Sequence, residues 1–250
     1  MKNRAQSGWY RWAVLGLLAA WAVEMAPSLA AQRIQTQKPR YHWYKLTERD
    51  GVQVYAKDHQ DRSLPALRGV GVVEASVQDI LAVLFDVSRN CEWVERCAES
   101  RVLKTIGETR RVVYSRSTAP WPVSDRDVIV RTSVQYDATT GNVRSGFKSV
   151  RSFPGAEPVD GVVRMPRLAG YYLLVPLGDA RTRLTFEVDA DPGGALPAFL
   201  VKWASRSLPV DQINGLRRQV KRLRADARER VANWRLWADP AAADTPAAAP

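Results

Sequence analysis

The sequence predicts an α+β domain in which a curved antiparallel sheet wraps around a long C-terminal helix. Three observations carry that prediction. Between Val52 and Asp189 short alternating runs follow one another, separated by Gly, Asn and Asp turns, which is the pattern of an antiparallel meander and not of βαβ units. From Ala195 to Trp237 the alternation stops and apolar residues recur every three or four positions. The chain has 250 residues, 46% hydrophobic and 25% charged, which excludes disorder throughout and supports an ordinary core. A sheet closing on one helix does not fill its own interior, so this architecture predicts an internal hydrophobic tunnel.

The elements follow in order. Residues 1–30 read as a secretory signal: Lys2, Arg4 and Arg11 precede the apolar run Ala13 to Val23, and Ser28-Leu29-Ala30 offers small residues at a cut. Export into a bacterial periplasm is the expectation, with cleavage after Ala30 set against an uncleaved anchor. The folded body is residues 41–237, and 238–250 is an Ala/Pro-rich disordered tail. Val52 to Lys57 alternates as a strand, and Leu67 to Glu74 reads as the next. Ser76 with Asp79 opens a helix whose apolar face holds Ile80, Val83 and Leu84. Arg101 to Ile106 and Arg111 to Ser117 pair across Gly107-Glu108. Val128 to Tyr136 puts Val128, Val130, Thr132, Val134 and Tyr136 on one face, against Ile129, Arg131, Ser133 and Gln135. Val143 to Arg151, Gly161 to Met165, Tyr171 to Leu177 and Arg183 to Asp189 complete the strands. In the final segment Val210, Ile213, Leu216, Val220, Leu223, Ala227, Val231 and Trp234 form one stripe, and Pro209 predicts a kink or split near Leu208.

In an exported protein Cys91 and Cys97 are candidates for a disulfide. An unbroken helix would hold them too far apart; a loop near Trp93 would bring them within the ~7 Å that a bridge needs. Disulfide and buried thiols both stay open at this stage. Two Cys and two His at these spacings do not suggest a metal site.

Four stretches carry a family resemblance: Arg89-Asn90-Cys91-Glu92-Trp93, Trp121-Pro122-Val123-Ser124-Asp125-Arg126-Asp127, Gly161-Val162-Val163-Arg164, and Asp191-Pro192-Gly193-Gly194-Ala195-Leu196-Pro197. Together they resemble the START domain, the lipid-transfer domain related to the steroidogenic acute regulatory protein, over about residues 41–225. The resemblance implies a helix-grip fold with a lipid held in the tunnel between sheet and helix, no cofactor, and a monomer. It implies ligand contacts from Tyr114, Thr132, Phe199, Leu200 and Trp203, whose alternative is plain core packing, and a ligand contact from Trp121 at the edge of the tunnel. Arg164 is a forked donor for a lipid head group or half of a structural ion pair. Sterol-binding animal members carry an Arg five residues after the Asp of the Arg-Asp pair. Here that position is Thr132, and Arg131 points to the opposite face, so the sterol-type pair is not carried over.

The net charge is +11, and Val210 to Trp237 alone carries eight basic residues against three acidic ones. On an exported lipid-binding domain that concentration points to an anionic membrane, through Arg217, Arg218, Lys221, Arg222, Trp234 and Trp237, or to a solvated outer face. Nucleic acid is not an expected partner, because no base-reading motif accompanies the charge. HExxH, GxSxG and phosphate-loop motifs are all missing, which argues against catalysis. A cyclase-like or hydrolase-like enzyme using the same cavity is the alternative, since related helix-grip proteins include aromatic-polyketide cyclases.

Overall fold

The computed structural model describes residues 42–60, 64–194 and 198–239, with the backbone alone over 198–204. The signal segment, and the tail beyond Asp239, lie outside the described residues. Ten strands form one sheet: β1 (Tyr44–Arg49), β2 (Val52–Lys57), β3 (Ala66–Val73), β4 (Cys97–Ile106), β5 (Arg110–Ser117), β6 (Asp125–Asp137), β7 (Asn142–Val150), β8 (Val162–Arg164), β9 (Arg167–Pro176) and β10 (Thr182–Asp191). Their order across the sheet is β1-β2-β3-β10-β9-β7-β6-β5-β4, antiparallel throughout, and the short β8 adds to the start of β6 in parallel. Among the described residues the α-helices are α1 (Val77–Phe85), α2 (Ala198–Gln219) and α3 (Ala225–Ala232).

Helix α1 starts where the sequence places it. The Ser76 hydroxyl accepts the Asp79 backbone N–H at 3.1 Å, satisfying one of the orphan donors of the first turn. Ile80, Leu81 and Phe85 are buried. A three-ten turn from Val87 to Glu92 then leads to β4. Between them the chain doubles back, Arg96 taking a φ of 58°, and Cys91 and Cys97 are joined in a disulfide with their Cα atoms 4.8 Å apart.

The C-terminal segment differs from the expectation. Helix α2 runs straight through Pro209, and the break comes later, at the three-ten turn Val220–Arg222 and the extended Leu223. Pro209 forgoes one backbone hydrogen bond, but it lies on β3, where a Cβ at Gly69 would sit 2.8 Å from the Pro209 Cβ. The bare glycine lets the helix approach the strand, and Val210, Ile213 and Leu216 follow it into the core. The later break turns α3 back over α1. Trp234 is buried with its ring 4.7 Å from that of Phe85, and Trp237 meets Tyr136 at 5.1 Å. One end of the sheet is thereby closed by α1, α3 and two tryptophans.

Candidate functional site

The register of the sheet decides which residues share its concave face. Arg111 pairs with Thr132, Thr132 with Phe147, Phe147 with Gly170, and Gly170 with Val188. One step along, Ser145 pairs with Tyr172 and Tyr172 with Phe186. Side chains on directly paired positions project from the same face. This face also carries Val113, Val128 and Val130, which cluster with Val87, Phe147, Met165 and Leu168.

An aromatic group stands at its centre. The Tyr172 and Phe186 rings are 5.0 Å apart, and Phe147 lies 5.9 Å from Tyr172. Gly170 makes room for it, because a Cβ there would fall 2.6 Å from the Phe147 ring and 2.0 Å from the Glu187 carbonyl oxygen. The amide of Gln212, on α2, donates to the Tyr172 hydroxyl at 2.7 Å. Burial pushes the Tyr172 phenol far above its ordinary range, so the group stays protonated. Phe147, Leu168, Tyr172 and Thr132 all point inward and all are only part-buried. At the closed end of the sheet, by contrast, Val143 on β7, Leu174 on β9 and Leu184 on β10 are fully buried. Among the described residues no group of three or more His, Cys, Asp or Glu is placed to hold a metal ion.

The START domain family model matches residues 31–226. The chain belongs to the START domain family. An uncharacterized protein of Pseudomonas aeruginosa is 34% identical to it over 175 residues, covering 70% of this chain and 85% of the relative. The phosphatidylcholine transfer protein of Bos taurus is 28% identical over 167 residues, covering 66% and 78%. Among solved structures, a STAR-related lipid transfer protein fragment from Xanthomonas axonopodis superposes with a TM-score of 0.65 at 27% identity, covering 72% of this chain and 98% of that one. The curved antiparallel sheet with C-terminal helices is the helix-grip fold of this family.

Within the START domain the residues singled out from sequence fall into four places. Thr132 is on the concave face, opposite Arg111 and beside Phe147. Tyr114 and Arg164 are not. Tyr114 pairs with Ile129 and packs with Val112, Ile129 and Ala156 on the convex side, where Arg101 stacks on its ring at 4.8 Å. Desolvation raises its phenol pKa, with the Asp127 charge adding to the effect. Arg164 closes a fork on Asp127, Nε to Oδ1 at 2.6 Å and Nη2 to Oδ2 at 3.0 Å. It also donates to the carbonyls of Arg151 and Ala156. Hydrogen bonding to Asp127 raises the Arg164 pKa further. Of the two readings open for Arg164, the structure therefore gives the ion pair: the fork is spent on the convex face, away from the aromatic group. Trp121 lies in neither layer; it is 93% exposed on the turn between β5 and β6. The side chains of Phe199, Leu200 and Trp203 lie outside the described residues.

The residues expected at a membrane divide as well. Trp234 faces the core, and the Trp237 indole N–H donates to the Val231 carbonyl at 2.6 Å. Arg217 is taken up by the carbonyls of Val72 and Asp50 and by the Asn214 side chain. These three hold the C-terminal segment to the body and do not form an outward face. Arg218, Lys221 and Arg222 are exposed. Sequence reasoning missed Arg111, Phe147, Tyr172, Phe186 and Gln212. A signal existed for one of them: Val143, Ser145 and Phe147 alternate with Arg144, Gly146 and Lys148, which puts the ring on the apolar side.

Proposed function

We propose that this START domain binds one hydrophobic lipid between the concave face and α2, and carries it between membranes outside the cytoplasm. The observation that carries the reading is the incomplete burial of Phe147, Leu168 and Tyr172, inward-facing side chains at the centre of the sheet. Apolar groups so placed gain by being covered, and each buried CH₂ of a lipid chain contributes ~0.8 kcal/mol. The Tyr172–Gln212 pair and the Thr132 hydroxyl would orient a ligand without a charged pair. The kinship to lipid transfer proteins supports the same reading.

Two features support a compartment beyond the inner membrane. One is the signal-like pattern of residues 1–30. The other is the Cys91–Cys97 disulfide, a bond that persists where the surroundings are oxidising. For exchange the domain must touch a bilayer, and Trp121 is suited to that contact. Its turn is held by the Ala119 N–H on Asp125 Oδ1 and by the Val123 N–H on the Pro120 carbonyl. The ring is thus presented from a fixed turn, and an indole favours the interface between hydrocarbon and water. Exposed Arg218, Lys221 and Arg222 add attraction to anionic lipid.

The test is transfer of a pyrene-labelled phospholipid from donor to acceptor vesicles containing phosphatidylglycerol. The protein accelerates transfer in proportion to its concentration, and Trp121→Ala slows it while leaving the amount of lipid bound per protein unchanged. No acceleration over the spontaneous rate, across neutral and anionic labelled lipids, overturns the carrier reading.

A further inference from the structure

Among the described residues, no carboxylate makes an ion pair with Arg111, a cation on the inner wall. It stands on the same rung as Thr132 and Phe147, between the part-buried Leu168 and Tyr172 and the end closed by α1 and α3. One of its amino groups donates to the Phe85 carbonyl at the end of α1, and its charge lies 4.6 Å from the Phe85 ring. That contact with a helix C-terminus is favourable, but it uses one of five donors. The Nε atom is buried and has no hydrogen-bond partner. Burial lowers the Arg111 pKa, the like charge of Arg230 lowers it further, and Asp86 offsets this in part. Yet Asp86 Oδ1 accepts from the Ser88 hydroxyl at 2.8 Å and makes no ion pair with Arg111.

Two other part-buried arginines have their charge held by a carboxylate. Arg164 forks onto Asp127, and Arg68 forks onto Glu187 at 3.0 and 2.7 Å. Each has its charge answered by a carboxylate of the same chain. Arg111 does not, and a buried charge left unanswered costs free energy that a bound anion recovers.

We propose that Arg111 is an anion-binding residue of the interior, and that the lipid is an amphiphile with an ionised carboxylate or phosphate head, inserted head first. The inference rests on the lipid-binding reading above and adds the chemistry and orientation of the ligand. The head meets the free guanidinium donors with Thr132 beside them, and the chain runs back along the part-buried Phe147, Leu168 and Tyr172.

The experiment measures binding of oleate, oleoyl-lysophosphatidate and methyl oleate at pH 8 to the whole protein, to Arg111→Met and to Arg111→Lys. The wild type prefers at least one anion over methyl oleate by roughly 10- to 100-fold, the worth of about one hydrogen bond to a charged group. Arg111→Met loses the preference but still binds methyl oleate, which shows that it is folded; Arg111→Lys restores part of it. The anion preferred tells carboxylate from phosphate. Equal affinity for all three lipids in the wild type, or a preference that survives Arg111→Met, overturns the proposal while the lipid-binding reading stands. Failure to bind any of the three, methyl oleate included, removes both.

Discussion

On β5 and β6 successive residues look in opposite directions, and the two faces they form are finished differently. The convex side of these strands is closed. Tyr114, Ile129 and Val112 are covered by the segment that carries Phe153 and Ala156, and the buried Asp127 carboxylate has both oxygens held by the Arg164 fork. The concave side, one residue along each strand, is sealed at Val113, Val128 and Val130 but not throughout: it also holds a guanidinium whose Nε has no partner, a threonine whose hydroxyl reaches the Arg111 carbonyl at 3.5 Å, and an aromatic ring with part of its surface uncovered. On the convex side the Asp127 carboxylate is answered and the apolar groups around Ile129 are sealed. The face with part-buried Phe147, Leu168 and Tyr172 is the one proposed for the ligand. Position on the sheet, and not residue type, separates the structural arginine from the one assigned to ligand.

The largest effect expected from breaking this contrast is on the convex side. Arg164→Met leaves the Asp127 carboxylate, 1% exposed, buried without a counter-charge. Loss of one partner of a buried pair costs about 3–5 kcal/mol, read as the shift in a urea unfolding curve. Ile129→Ala opens a cavity in the same layer and is expected to cost about 2–5 kcal/mol by the same assay. Serine in place of both Cys91 and Cys97 opens a short loop, for which chain entropy gives about 2 kcal/mol; reducing agent added to the wild type should reproduce that shift. On the concave side Thr132→Val should change stability by less than about 0.5 kcal/mol, because no strong hydrogen bond is lost. A penalty there as large as that of Ile129→Ala would erase the distinction between the faces.

The smallest effect concerns acid. Hydrogen bonds from Arg89 and then Gln219 hold the Glu92 carboxyl down to about 2, against an ordinary 4.5. A carboxyl whose folded pKa is lowered stabilises the fold above its unfolded pKa, and that contribution fades as pH falls from about 4.5 toward about 2. Glu92 is exposed, so the change is small. Comparing Glu92→Gln with wild type between pH 7 and pH 2 should show a difference at pH 7 that vanishes at the acid end.

Much of the fold can be read from the sequence because one face of most strands is apolar and the other polar. The alternation in β2, β6 and β10 places them within three residues at either end. It fails for β1, where a bulge between Lys45 and Thr47 shifts the register and breaks the period. It also misses the first residues of β9, because Gly170 looks like a loop until the Phe147 ring above it explains it. The same logic governs the site. On β6 parity places Thr132 inward. On β5 Val112, Val113 and Tyr114 are all buried, since both faces are covered there, and no alternation says which way Tyr114 points. Arg164 finds its carboxylate 37 residues away, a pairing set by the parallel β6–β8 contact and invisible to local pattern. Arg111 is missed for the opposite reason: a strand residue among arginines reads as solvent-facing until the register shows what lies across from it.

The central claim is that the concave face and α2 enclose one lipid. Native mass spectrometry of the purified protein, after exposure to a bacterial lipid extract, tests it most directly. The account predicts a single adduct of lipid mass, bound one to one and released at higher collision energy. A spectrum holding only the mass of the bare protein, under conditions that preserve the fold, would contradict it.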